Sequence, residues 1–265
     1  MRRPLLSWPP PTRILGGGIV AAVVLASVLA PVLSGQDPNA SGDDILAAAS
    51  MQHLFGTDDL GRDVFMRVLY GGRVSLLLGL GAAGFACLVG LPAGLVAGYA
   101  SGWAGLTLAQ VIDLFIALPG LVLALVVTVI VGPTLLNLML VLGLVQWPSV
   151  ARLVRGQVLA LRETPFVEAA RAVGGSVGWI LARHVGPNVA RVIAAQFAIS
   201  VSAAIFTSAS LSFLGLGLPP PTPDWGSMVQ GGFEFLAVNP WLSLGPGLAV
   251  TLTVFGFHVM GRSVD

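Results

Sequence analysis

The chain has 265 residues, 55% of them hydrophobic and only 9% charged, with a mean hydropathy of +0.90; soluble domains carry roughly 25% charged residues, so it reads as an integral membrane protein. Its 13 basic residues are all arginine, and without lysine a phosphate-binding GxxxxGKS/T loop, a Schiff base and a pyridoxal site are excluded. The single cysteine, Cys87, allows neither an internal disulfide nor a cysteine metal cluster, and His53, His184 and His258 are isolated in sequence, so no metal site is expected.

A membrane-spanning helix needs about 20 apolar residues to cross a hydrocarbon core of about 30 Å. Six segments qualify, at about residues 14–34, 74–99, 107–130, 134–151, 190–213 and 241–260. The first follows Arg2, Arg3 and Arg13 but exceeds the roughly 7–15 apolar residues of a signal core, so it is expected to stay as an uncleaved helix. Residues 1–13 then form a cytoplasmic N-terminus and 14–265 a single transmembrane domain. The fold class is an all-α integral membrane protein with six transmembrane helices and a short cytoplasmic helical hairpin.

Arginine placement sets the orientation, because short positively charged loops stay in the cytoplasm. With the N-terminus inside, Arg2, Arg3, Arg13, Arg152, Arg155, Arg162, Arg171, Arg183, Arg191 and Arg262 lie inside, and only Arg62, Arg67 and Arg73 outside. Both termini are expected in the cytoplasm.

Before the second span, Asp58, Asp59 and Asp63 alternate with Leu60, Val64, Val68 and Leu69, which predicts an amphipathic helix at the outer interface. The three acids lack the spacing of an EF-hand. Asp113 is the one acid inside an expected span, where a charge must be paired or hydrated; it suits a hydrogen-bonded scaffold role or the lining of a pathway. Pro119 is expected to kink that span.

Between spans four and five lies a loop, residues 152–189, too polar to cross. Thr164 suits an N-cap, Pro165 the first helical position, and Gly174 with Gly175 a stop, giving a helix of about nine residues. Ser176 caps a second helix expected to end at Gly186 and Pro187. Phe166, Ala169, Ala170 and Val173 recur at helical spacing as one apolar side, and Glu168 and Arg171 stand so that they can pair with each other or with a partner. So short a helix is unstable alone in water; it rests either on lipid headgroups or on another subunit.

Span five carries Gln196, Ser200, Thr207 and Ser210 along one stripe, suited either to a translocation path or to close helix packing through small residues. Beyond it, Pro219 to Pro221 stiffen the exit. Asp224 and Trp225 follow, as a contact for an external partner, an outer plug or a stiffened surface loop.

EAARAVG followed by RHVGPNV resembles the EAA loop of binding-protein-dependent ABC importer permeases: Glu168, Ala169, Ala170, Gly174 and Pro187 match in register, while His184 and Gly186 depart from it. HLFGTDDLGRDVFMRVLYGGRVSL, VIDLFIALPGLVLAL, WPSVARLVRGQVLALRE and SLSFLGLGLPPPTPDWGSM are similar to the C-type subunits of dipeptide and oligopeptide permeases. The resemblance implies a permease subunit of the bacterial inner membrane that is not itself an enzyme and translocates dipeptides or short peptides. Haem, glutathione or a nickel chelate are the alternative cargoes within the class, and an ion-coupled secondary transporter is the alternative outside it. Implied partners are a B-type permease subunit, two cytoplasmic ATPase subunits that bind ATP and Mg, an extracytoplasmic binding protein and membrane lipid, but not nucleic acid. Thr164, Pro165, Phe166, Glu168, Ala169, Ala170, Arg171, Gly174 and Pro187 would then couple to the ATPase.

Overall fold

Where no water is at hand, a backbone can satisfy its amides and carbonyls only within its own segment, so apolar runs become helices. The computed structural model describes residues 11–34, 37–100 and 102–262. Its helices are α1 (Pro11–Ser34), α2 (Val64–Tyr99), α3 (Trp103–Ala117), α4 (Gly120–Val131), α5 (Leu135–Leu161), α6 (Pro165–Ala172), α7 (Val177–Ile180), α8 (Gly186–Leu211), α9 (Trp225–Phe233) and α10 (Trp241–Arg262). Wide π-helical turns, Leu181–Val185 and Ser212–Leu216, flank α8. Most of the expected cytoplasmic segment 1–13, including Arg2 and Arg3, lies outside the described residues.

Five helical segments are long and apolar enough to cross a membrane, and α3 with α4, meeting at 87°, supplies a sixth if the bent pair counts as one. Packing decides that it does. Gly143 lies against Ala82 and Phe85, Gly90 against Trp147 and Val150, Gly94 against Ala151 and Val154, and Gly98 against Arg155 and Val158. Rising numbers pair with rising numbers, so α2 and α5 run parallel, and the chain between them must return across the bundle.

The kink expected at Pro119 is a full break. Leu118 (φ −75°, ψ 135°) and Pro119 (φ −61°, ψ 108°) are both extended, because a residue preceding proline is driven out of the helical region.

Two predicted helices differ from the sequence reading. No separate interfacial helix precedes the second span: α2 already begins at Val64, where the Asp63 carboxylate accepts from the Met66 amide at 2.8 Å. Nor do Gly186 and Pro187 end a second hairpin helix; α7, the π-turn and α8 form one continuous run, Val177–Leu216. Proline lacks only a donor it does not need in a first turn, and the wide turn accommodates it, with the Gly186 amide donating to the Leu181 carbonyl.

Gly16 of α1 meets Gly256 and Met260 of α10, Gly261 meets Ala195 and Ile199 of α8, and Gly79 of α2 meets Val201 and Ile205. These contacts place the start of α1, the ends of α2, α5 and α10, and the start of α8 on one face. That face carries Arg13, Arg162, Arg171, Arg183, Arg191 and Arg262, while Arg62, Arg67 and Arg73 lie at the other.

Candidate functional site: the helical hairpin and the intramembrane polar groups

The hairpin begins where α5 runs out. Thr164 holds the N-cap position of α6 with extended backbone (φ −83°, ψ 147°), yet its hydroxyl caps nothing: it donates back to the Leu161 carbonyl at 2.5 Å. Pro165 opens the helix as expected. At the other end the Gly174 amide donates to Arg171 O at 3.0 Å and the Gly175 amide to Ala170 O at 3.0 Å, with Gly174 at φ +85°. This is a Schellman stop, and it turns the chain into Ser176, whose hydroxyl accepts from the Trp179 amide at 3.4 Å.

The predicted apolar side of α6 is divided. Ala170, and with it Val167, a position outside the predicted set, are buried in a core with Val158, Ile180, Val185 and Ile112. Phe166, Ala169 and Val173 point away, Phe166 43% and Val173 82% exposed, beside exposed Val177 and Trp179. Periodicity shows that a helix has two faces but not which one meets the protein. Of the two pairings open to Glu168 and Arg171, the one with each other is not made: Arg171 lies over the Tyr99 ring at 5.5 Å and donates to Arg162 O at 3.5 Å. Glu168 is left exposed. Pro187 is the second residue of α8. His184 lies edge-on to Trp179, with ring centroids 4.7 Å apart.

Farther along α5 from the hairpin, Asp113 of α3 accepts from Arg152 Nη2 of α5 at 2.6 Å. Arg152 is therefore a helix residue rather than part of the inner loop. In the α8 stripe, Gln196 Nε2 reaches Ser200 Oγ at 3.5 Å, while Ser210 donates to the Phe206 carbonyl at 2.9 Å. Ser200 is buried with Ser202, Ala204 and Ser208. The four predicted residues do not form one open stripe: Ser200 belongs to packing, and Gln196, Thr207 and Ser210 are half-buried.

At the opposite face, residues 37–63 and 217–240 fold onto the protruding start of α2. Buried Arg67 donates to Pro38 O at 3.1 Å, Asn39 Oδ1 at 2.9 Å and Pro221 O at 3.5 Å. Trp225 Nε1 donates to the Val68 carbonyl at 2.8 Å, and Asp224 caps α9 through the Ser227 amide. Asp224 and Trp225, read from sequence as a plug, a contact or a surface loop, are each 1% exposed; they are the keystone of this outer module rather than its surface. Burial raises the Asp224 carboxyl above its ordinary range, against the hydrogen bonds that favour its ionised form. The three acids before α2 do not converge: Asp58 pairs with Arg62 at 2.7 Å, Asp63 with His53 at 2.8 Å, and Asp59 stays mostly exposed.

Residues 90–265 match the family model described as the binding-protein-dependent transport system inner membrane component. The chain is 37% identical over 249 residues to a dipeptide transport system permease protein, DppC, of Alkalihalophilus pseudofirmus, covering 94% of this chain and 82% of that one. It is 34% identical to the oligopeptide permease protein OppC of Bacillus subtilis, covering 92% and 80%. It is 39% identical to a glutathione transport system permease protein, GsiD, of Escherichia coli, covering 83% and 72%. Among solved structures, an inward-facing MetNI methionine ABC transporter chain shares the fold, with a TM-score of 0.58 and 20% identity over 75% of this chain and 96% of that one. A bundle with a return crossing between parallel α2 and α5, a hairpin on its arginine-bearing face and these relatives lead to one assignment: the chain belongs to the family of binding-protein-dependent transport system inner membrane components, the permeases of ABC importers.

Proposed function

We propose that this chain translocates dipeptides or short peptides as one of two permease subunits, with a B-type permease as the other, and that α6 is the element gripped by a cytoplasmic ATPase. The observation that carries the reading is the division of α6. Val167 and Ala170 anchor it in the core shared with α5 and α3, while Ala169, Val173 and the Glu168 carboxylate are exposed and Phe166, whose ring lies 6.4 Å from that of His184, keeps 43% of its surface open. A helix of eight residues, about 12 Å long, held this way transmits a push on its outer face into the bundle. The arginine-bearing face is then cytoplasmic, and the outer module faces the binding protein. ATP and Mg belong to the ATPase subunits; this chain supplies the path and the lever. Peptide cargo is supported by the two relatives named for dipeptide and oligopeptide transport, and glutathione, itself a short peptide, fits the third.

The test is reconstitution of the chain with its partner permease, ATPases and binding protein in proteoliposomes. Dipeptide uptake that needs ATP and the binding protein is expected. Glu168→Ala with Phe166→Ala should lower uptake at least tenfold and abolish stimulation of ATP hydrolysis by loaded binding protein, while the assembled complex is still recovered. Uptake driven by a proton gradient without ATP would sink the reading.

A further inference from the structure

The Asp113–Arg152 pair stands where an ion pair is costly. Arg152 lies one turn before Arg155 and ten residues, about 15 Å along α5, before Arg162, between Ala151 and Val154, the residues that pack on Gly94. Yet the two side chains are 56% and 57% exposed on the surface of this chain. A charge at that depth does not face hydrocarbon; it faces water, a ligand or another polar surface. Leu136 and Leu140, near the start of α5, are exposed and apolar, but from Ser149 onward its exposed positions are consistent with water. Ser149, Arg152, Gly156, Ala160 and Glu163 are all exposed and follow one another at spacings of three and four, so one line of small and polar residues runs from the pair to the hairpin. The exposed positions of α1 are of the opposite kind, with Leu25, Val28, Leu29 and Val32 turned to lipid.

We infer that this face of α5 lines an aqueous route and that Asp113 and Arg152 together form a docking point for a zwitterionic ligand: Arg152 for its carboxylate and Asp113 for its ammonium group. The inference rests on the peptide-permease reading above and adds to it the groups that touch the cargo. Charge complementarity selects the occupant. One cation and one anion neutralise each other when the route is empty, and a short peptide with free termini presents the same two charges, so it exchanges one satisfied pair for two without stranding a charge in the low-dielectric interior. The guanidinium fork suits a carboxylate in two-point contact. A polar helix of a partner subunit is the competing occupant and is an outcome of the test.

The experiment uses the full transporter in proteoliposomes, with this chain carrying Cys87→Ser and either Ser149→Cys or Gly156→Cys, and a water-soluble maleimide supplied to the hairpin side without ATP. Labelling at both positions is expected, slowed at least fivefold by millimolar trialanine but less than twofold by N-acetyl-trialanine amide, which has no terminal charge. Adding Arg152→Gln should remove the protection by trialanine. No labelling, equal protection by both peptides, or protection that survives Arg152→Gln overturns the inference and returns the pair to a helix-to-helix or subunit contact. ATP-driven uptake of trialanine in the unsubstituted transporter is measured alongside. If uptake stands while protection fails, only the docking point falls; if the unsubstituted transporter takes up no peptide, the peptide reading falls and the docking point with it.

Discussion

Gly94 of α2 is seated so closely on α5 that a methyl group added to it would stand 2.5 Å from the Ala151 carbonyl oxygen and 2.6 Å from Val154 Cβ. Both obstacles are rigid, one a backbone atom and the other a branched carbon at the root of its side chain. Overpacking of this kind costs about 1–3 kcal/mol, and here it prises apart the two parallel helices that carry the hairpin at their inner ends. Gly94→Ala is expected to lower the midpoint of thermal unfolding in detergent by several degrees. Gly84→Ala on the same helix meets nothing within 4 Å and should be neutral or slightly stabilising, since glycine costs a helix interior about 0.5–1 kcal/mol relative to alanine. Equal effects of the two would show that the α2–α5 contact is not tight.

The turn after α6 depends on backbone shape alone. Gly174 has φ +85° and no atom within 4 Å of the place a Cβ would take, so substitution there is a conformational and not a steric test. Left-handed backbone costs an ordinary residue about 1–2 kcal/mol, and asparagine less. Gly174→Val should therefore loosen the hairpin, seen as faster protease cleavage between residues 164 and 180, and Gly174→Asn should restore most of the protection. If valine is as well protected as glycine, the Schellman stop is not what orders this turn.

Much of this was legible in the sequence, and what escaped it escaped for physical reasons. Thr164–Pro165 and Gly174–Gly175 mark the ends of α6 through strictly local chemistry, and the long apolar runs mark the membrane helices. Which face of α6 is buried was not legible, because Val167 and Phe166 are both apolar and only the tertiary neighbours Val158 and Ile180 tell them apart. Pro187 looked like a stop because nothing in the residues around it announces a π-turn. The partners of Asp113 and Trp225 stand 39 and 157 residues away, beyond any periodic signal. Arg152 was consequently read as a loop charge, although it is the ion-pair partner of Asp113.

The Trp225 anchor makes a separable prediction. Its indole N–H donates to Val68 O in a buried site against Gly71 and Gly72. Trp225→Phe keeps a ring but removes the donor and leaves a void, a loss of about 1–3 kcal/mol from the outer module. Hydrogen exchange should then quicken in residues 217–240 and at the start of α2, while the hairpin amides around Ala170 keep their protection. Equal quickening at both faces would mean that the outer module does not open independently.

Asp224 gives the outer module a pH dependence whose sign can be worked out. Burial raises its carboxyl above the ordinary value of 3.8, only partly opposed by the hydrogen bonds to its ionised form. For a carboxyl raised in the folded state, the protonated form is the one that folding favours. Its contribution is therefore complete below 3.8 and is lost as pH rises through the raised value, so at neutral pH the ionised Asp224 is a cost that the N-cap bonds to α9 partly offset. Asparagine keeps a capping oxygen without the charge. Asp224→Asn should match or exceed the native chain in thermal stability at pH 7.5, with its advantage shrinking as pH falls toward 4. Asp224→Ala, which loses the cap as well, should be less stable than Asp224→Asn at both pH values by about 1 kcal/mol. A native chain more stable than the asparagine variant at pH 7.5, by an amount that grows with pH, would reverse the sign and mean that the ionised carboxylate is the form the outer module holds.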